Sequence, residues 1–425
     1  MVHVVGGGLS GSECALKLAS FGMDVVLYEM RPGKLTGAHR TGLFAELVCS
    51  NSFKSMEITN AHGLLKKEME MLGSFILKAA YETQVPAGKA LAVDRERFSS
   101  LITRWIEENE KIRVVREEVK SLDFPGIKVI ATGPLTSDGL SEELRKLFGD
   151  CLYFYDAISP IVSFESIDMS RAFFGARYGV DDSYINCPLT EEEFERFYQE
   201  LIKAEEFLPH LEEDRFFEGC LPVEEIARRG KESLLFSVMK PVGLVDPKTG
   251  KMPYAVVQLR RENKEGTMWN LVGFQTRLRR KEQERVFRLI PCLRRAEFLR
   301  YGSMHRNTYI NSPRVLLPTL RAKKRDDVYV VGQLCGVEGY MESTAMGLLC
   351  AVNIKRRLEG KGEVLPPEGT MLRGLIDYIT EPKEDFQPMN ANFGLLPPVK
   401  GRKKEKRRQL AERSISLMEE WVKNL

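Results

Sequence analysis

Apolar residues along this chain recur at two spacings, and the changes between them mark out its elements. Val2, Val4 and Val5 form a short β-branched run, the mark of a buried strand. From about Leu9 to Ser20 the apolar positions take helical spacing, and residues 24–28 return to a strand. Leu64, Leu65, Met69, Leu72, Phe75, Ile76 and Ala79 keep the helical period over residues 64–81, which read as one helix. Residues 94–109 read as a second amphipathic helix, with Phe98, Leu101, Ile102, Trp105 and Ile106 on one face. Short strands are expected at 112–115, 119–124 and 128–132.

Aromatic and β-branched residues become denser after Cys151, so an inserted region should begin between Ala157 and Arg177. Within it, Thr190 and Glu193 make a capping box that opens a helix reaching about Glu206. Residues 254–259 and 268–274 read as paired strands, with Gly266 at the turn. Residues 328–331 form a further strand and 343–352 a helix, and the tail from Lys400 reads as a basic helix. The pattern predicts an α/β fold: a Rossmann-type dinucleotide domain at 1–165, an inserted α+β domain at 166–310, a return segment at 311–370 and an extension at 371–425.

The first strand runs into Gly6, Gly8 and Gly11, a G-x-G-x-x-G spacing that opens a helix. Such glycines provide a tight turn, close approach to a pyrophosphate, and close helix packing. Gly6, Gly7, Gly8, Leu9, Ser10 and Gly11 are therefore candidate cofactor contacts, at a helix start whose free N–H groups and dipole favour phosphate. Glu29 follows Gly11 by eighteen residues, where a carboxylate can bind a ribose. Downstream, Gly133 closes a strand beside this turn, and Gly332 and Gln333 close another. Ser343 and Thr344 begin the helix after it, and that arrangement suits the end of an FAD fold, where a helix dipole faces the flavin. The plain alternative is a glycine-rich turn that binds nothing.

Length and composition narrow the class. A chain of 425 residues can bury a large core in two or three domains. Its net charge of +3 excludes a general polycation, so nucleic-acid contact must come from local patches. No apolar run is long enough to span a membrane, and Met1 leads straight into a strand, leaving no room for a signal peptide. The eight cysteines show no C-x-x-C pair, so neither a metal site nor a disulfide framework is expected, and a cytoplasmic setting is the default.

Two cysteines stand in distinctive contexts. Cys49 lies among Ser50, Asn51 and Ser52, residues that favour turns and helix starts, although spacing alone favours an inert packed thiol there. Cys220 precedes Pro222, Glu224 and Glu225, the marks of a helix N-terminus, where a thiol ionises more readily. Between Arg277 and Arg306 there are ten cations against three carboxylates, interleaved with Phe287, Phe298 and Tyr301. Arg279, Arg280 and Lys281 are the candidate RNA contacts in that run, the alternative being a solvated helix face.

Taken together, GGGLSG at 6–11, ELVCSNS at 46–52, EGCLPVEE at 218–225, MKPVGL at 239–244, VGFQT at 272–276, YINSP at 309–313 and GQLCGVEGYMES at 332–343 resemble the TrmFO family. Those are folate- and FAD-dependent tRNA (uracil-54) C5-methyltransferases, related to the larger GidA flavoproteins. The resemblance runs from Val2 to about Met389 and implies FAD, 5,10-methylenetetrahydrofolate as carbon source, NADH or NADPH as reductant, and the T arm of tRNA as substrate. It also implies two functional cysteines, at the positions of Cys49 and Cys220. Uracil C5 becomes nucleophilic only when a nucleophile adds at C6, and Cys220 is the expected nucleophile. Cys49 is expected beside the flavin, removing the C5 proton or holding the one-carbon adduct. A GidA-like wobble-uridine modifier, an rRNA uridine methyltransferase and a small-molecule flavin oxidoreductase are the alternatives.

Overall fold

β1 (Val2–Val5) is the central strand of a five-stranded parallel sheet, and the reason is visible in its side chains: Val2, Val4 and Val5 are all buried. Its neighbours are β2 (Val25–Tyr28) and β4 (Ile127–Ile130), with β3 (Ile112–Val115) and β5 (Val328–Val330) at the edges, giving the order β5-β4-β1-β2-β3. The computed structural model describes residues 1–149, 152–207, 221–384 and 386–425, and of 152–157, 304–306, 403 and 404 only the backbone. Helix α1 (Leu9–Ser20) follows β1 and packs against α2 (Tyr340–Leu358), which follows β5. Helices thus follow both β1 and β5, and such crossovers cover the faces of a parallel sheet.

Two hydrophobic clusters divide the chain. The first takes residues from Val2 to Leu144 and again from Tyr309 to Met418, and the second takes residues from Val162 to Ala296. The second is built on a six-stranded antiparallel sheet whose long strands, Tyr184–Leu189 and Ala255–Arg261, pair from Tyr184↔Arg260 to Leu189↔Ala255. The chain passes between the two bodies on an antiparallel pair, Leu152–Ile158 with Ser303–Tyr309. Hence the second body is an insertion, entered and left through neighbouring strands.

Local expectations mostly survive, and the departures have physical causes. Thr190 and Glu193 form the capping box, and the helix runs Glu191–Lys203. The strands Ala255–Arg261 and Met268–Leu271 pair around Gly266, whose φ is +73°. Residues 64–81, however, make two helices, Ala61–Met71 and Phe75–Glu82. Gly73 takes φ +69°, and Ser74 caps the second helix, while the buried Glu13 carboxylate accepts hydrogen bonds from Ser74 Oγ, Phe75 N and Ile76 N. Two satisfied termini thus offset the lost helical turn. No strand forms at 119–124; Leu122 is buried and Phe124 packs its ring 5.0 Å from His3, so the segment wraps the sheet end instead of pairing. The basic tail forms a helix, Lys403–Lys423, but it is more than a solvated cap. Leu410, Ala411 and Met418 enter the first core, and Ser414 Oγ donates to the buried Glu68 carboxylate at 2.5 Å.

The cysteine expectation is overturned in the inserted body. Cys187 and Cys292 form a disulfide, Cα–Cα 5.8 Å, that closes 105 residues of chain. Sequence spacing carries no signal for it, because the two thiols meet only once the Tyr184–Leu189 strand is packed on the short turn Pro291–Leu293. Both sulfur-bearing residues are fully buried, so the bond is shielded from external thiols. Peptide mapping without reductant should recover the Cys187 and Cys292 peptides joined. Cys292→Ser should lower the thermal midpoint, consistent with roughly 3–5 kcal/mol for a loop of this length. Separate peptides under non-reducing, thiol-blocked conditions contradict the bond.

Candidate active site

The glycine turn after β1 shows a separate requirement at each position. Gly6 has φ +104°, and a Cβ there would lie 2.6 Å from Ala131 O. At Gly11 a Cβ would meet Gly6 O at 1.8 Å, so the helix could not approach the strand. Gly7 would strike the Phe44 ring at 2.4 Å. Gly8 differs: a Cβ on it meets nothing within 4 Å. Its backbone borders open space at the N-terminus of α1, where free N–H groups await an acceptor. Two residues on, Ser10 Oγ is buried without a hydrogen-bond partner, close to Gly332, where a Cβ would lie 3.0 Å from Ser10 Cβ.

Glu29 holds this turn in place from the end of β2. One carboxylate oxygen accepts from Gly7 N at 2.9 Å and Arg31 Nη2 at 3.0 Å, the other from Arg31 N and Nε at 3.0 and 2.9 Å. These bonds outweigh burial and hold the Glu29 carboxyl below the usual carboxylate range. The sequence marked Glu29 as a ribose acceptor; the geometry gives its four acceptor positions to Gly7 and Arg31 and makes it the anchor of the loop.

From the turn, open space runs in one direction. A cleft lined by Gly6, Gly7, Gly8, Glu29 and Val119 shares Thr36 and Leu135 with a second space, which shares Pro134 and Leu135 with a third. That third space, about 230 Å³, is lined by Cys49, Ser50, Lys54, Gln275, Gln333, Glu338 and Tyr340 among others. The groove thus joins the glycine turn to Cys49, and its far end borrows Gln275 from the inserted body.

Cys49 lies in an irregular segment ahead of the strand Ser52–Ser55, not at a helix start. The backbone around it is held by side chains distant in sequence. Tyr340 Oη accepts from Cys49 N at 2.8 Å and Ser50 N at 3.1 Å. Arg95 donates to Leu47 O at 2.5 Å and Cys49 O at 2.9 Å, and Arg300 donates to Val48 O at 2.7 Å. Asn51 donates to Val93 O and Arg261 O, both at 2.9 Å, and accepts from Arg260 Nε at 3.0 Å. Burial first, and the neighbouring Cys49 second, push the Tyr340 phenol above its usual range, so it remains protonated.

The other expected residues fall in three groups. Gly133 has φ +65° with nothing within 4 Å of its Cβ position, and Gln333 lines the Cys49 cavity with its amide donating to Glu338. Leu9, Ser343 and Thr344 are buried in the packing around α1 and α2, and the Thr344 hydroxyl donates to Tyr340 O at 2.7 Å instead of facing the groove. Cys220 lies outside the described residues. The helix after it, Val223–Arg228, begins one residue beyond Pro222, and its buried Glu224 accepts from Thr276 Oγ1 and Arg277 N. Burial pushes the Glu224 carboxyl up to about 7. Tyr340, Arg95 and Arg300 were missed by sequence reading; only the position of Tyr340 directly after the Gly336–Gly339 turn hinted at one of them.

A family model described as Glucose inhibited division protein A matches residues 1–362. An Aquifex aeolicus protein named methylenetetrahydrofolate–tRNA-(uracil-5-)-methyltransferase TrmFO is 56% identical over 428 residues, 99% of this chain and 96% of its own. The chain belongs to the TrmFO family. Relatives of the same name from Thermotoga neapolitana and Thermus thermophilus are 56% and 54% identical, covering 99% and 100% of this chain and 99% and 97% of theirs. A crystal structure of Aquifex aeolicus GidA shares the fold, with a TM-score of 0.70 at 17% identity, covering 99% of this chain and 73% of that one.

The flavin that TrmFO membership brings fits this groove on the chain's own evidence. Gly8 leaves room at a helix start, Ser10 offers an unspent buried hydroxyl, and three adjoining spaces that share lining residues lead from there towards Cys49. Because the Gly8 position is sterically free in the protein, Gly8→Val should fold yet lose most bound flavin, read as absorbance near 450 nm per mole of protein. Gly11→Val should instead fail to fold. Full flavin content in folded Gly8→Val contradicts this placement.

Proposed function

We propose that this protein methylates C5 of a uridine in the T arm of tRNA, at position 54, giving ribothymidine. The observation that carries the reading is the groove running from a dinucleotide turn to Cys49, in a chain more than half identical, over nearly its whole length, to TrmFO methyltransferases. Bound FAD, reduced by NADH or NADPH, supplies the electrons and the contact through which carbon from 5,10-methylenetetrahydrofolate is delivered. The chain's part is to activate the uracil ring and manage protons. Cys220 adds as thiolate to C6, which places electron density on C5. Cys49, held at the end of the groove, takes the C5 proton; release of the Cys220–C6 bond then restores the ring double bond. The GidA-like reading is weaker, since the likeness to GidA stands at 17% identity.

Arg279, Arg280 and Lys281 are the proposed grip on the T arm. Arg279 caps the helix Arg280–Phe287 and the other two form its first turn, an arrangement that opposes the helix dipole. A phosphate there would reverse the cost. All three are exposed, and among the described residues Arg279 has a long 3.6 Å contact to Glu205. Other cations in this run are spent internally: Arg277 on Glu206 and Glu225, Arg285 on Glu200 and Glu282, Arg288 on Glu284. The proposed footprint is therefore smaller than the run of ten cations suggested.

Incubation with unmodified tRNA transcript, methylene-labelled folate and NAD(P)H should place the label in ribothymidine at position 54. Neutralising Arg279, Arg280 and Lys281 together should weaken tRNA binding about tenfold or more, flatten its salt dependence, and leave flavin content unchanged. Label elsewhere in the tRNA, or none, contradicts the function; unchanged affinity across a salt titration contradicts the grip.

A further inference from the structure

We infer that Arg300, reaching across from the inserted body, keeps Cys49 in its thiolate form and fixes its position at the end of the groove. Arg300 ends the strand Phe298–Arg300 at the edge of the six-stranded sheet. The pairing of that strand slips between Phe298 and Arg300, with Phe298 opposite Val162 and Arg300 opposite Ile161. Such a bulge re-aims a side chain, and here it sends the guanidinium out of its own body to Val48 O at 2.7 Å.

The charges around Cys49 explain why this contact matters. Arg95 also reaches the segment, but its charge is matched by Glu262 at 2.5 Å. Arg300 is half-buried and has no carboxylate within ion-pair distance among the described residues. Tyr340 is a neutral phenol, Glu338 is bonded by Gln333, and Glu46 is bonded by Arg31 and Thr41. Lys54 on the cavity wall and Arg40 nearby add positive charge. Burial, then repulsion from Arg95 and Arg40, push Arg300 down to about 10, so it is still a cation at neutral pH, without a carboxylate partner among the described residues. Cys49 directly follows Val48, whose carbonyl Arg300 holds, and a thiolate on Cys49 would supply the anion that this cation has not found among the described residues. A nearby cation of this kind depresses a thiol pKa.

The inference deepens the proposed function and rests on Cys49 acting as a thiol at the flavin. Its test does not use methylation. The full-length, flavin-loaded enzyme is alkylated with iodoacetamide over a pH series, and the Cys49 peptide is quantified by mass spectrometry. The wild-type midpoint should lie at least one pH unit below the ordinary thiol value of about 8.5. Arg300→Met should raise that midpoint by about one unit, slowing alkylation at pH 7 roughly tenfold with the high-pH plateau unchanged. Arg300→Lys should restore most of it. A purely structural role would change the plateau and leave the midpoint alone, and that result overturns the inference. A wild-type midpoint at or above about 8.5 overturns it without any variant. If instead Cys49→Ala still methylates tRNA while the midpoints behave as expected, the role of Cys49 falls and the charge relation stands.

Discussion

The ion pair between Arg95 and Glu262 is the contact on which the site depends. Arg95 belongs to the flavin body and Glu262 to the inserted body, and the Glu262 side chain has no exposed surface. The same guanidinium donates to the carbonyls of Leu47 and Cys49. A segment without regular structure thereby acquires a fixed course, because its carbonyls are tied to a cation that cannot leave without stranding a buried carboxylate. Breaking such a pair by removing one partner typically costs about 3–5 kcal/mol. Neighbouring contacts follow the same line: Lys264 N donates to Asp94 at 2.9 Å, and Arg97 pairs with Glu265 at 2.7 Å. The two bodies meet at this helix start among other places, and Cys49 sits beside it.

This arrangement links the two tasks the protein must perform. The flavin groove begins at the glycine turn in the first body, whereas Arg279, Arg280 and Lys281, the proposed RNA contacts, lie on the second. Cys49 stands where the two bodies meet, with its amide held by Tyr340 at the start of α2 and the adjoining carbonyls held by Arg95 and Arg300. Any shift of the inserted body against the flavin body would pull on that segment through Arg300, Arg260 and Arg261.

Much of this was legible in the sequence because it is local. The glycine turn, the capping box at Thr190 and the hairpin at Gly266 each depend on residues a few positions apart, and each formed where expected. The break at Gly73 and Ser74 had a local signal too, but the apolar period across it was unbroken and hid it. What sequence could not supply were meetings across long separations: Tyr340 with Cys49, Arg300 with Val48, Cys187 with Cys292. The bonding of Glu29 with Arg31 depends on the turn of the chain two residues later, which no spacing rule describes. The family resemblance named Cys49 and Cys220 without giving the surroundings that make a thiol useful.

The central claim, that the ion pair across the two bodies fixes the Cys49 segment, is tested most directly by amide hydrogen exchange. Exchange at residues 47–51 would be compared between the wild-type protein and Glu262→Gln, with the amides of β1 as an internal reference. Exchange at Cys49 and Ser50 should be at least tenfold faster in Glu262→Gln, with β1 unchanged. Equal protection of Cys49 and Ser50 in the two proteins would contradict it.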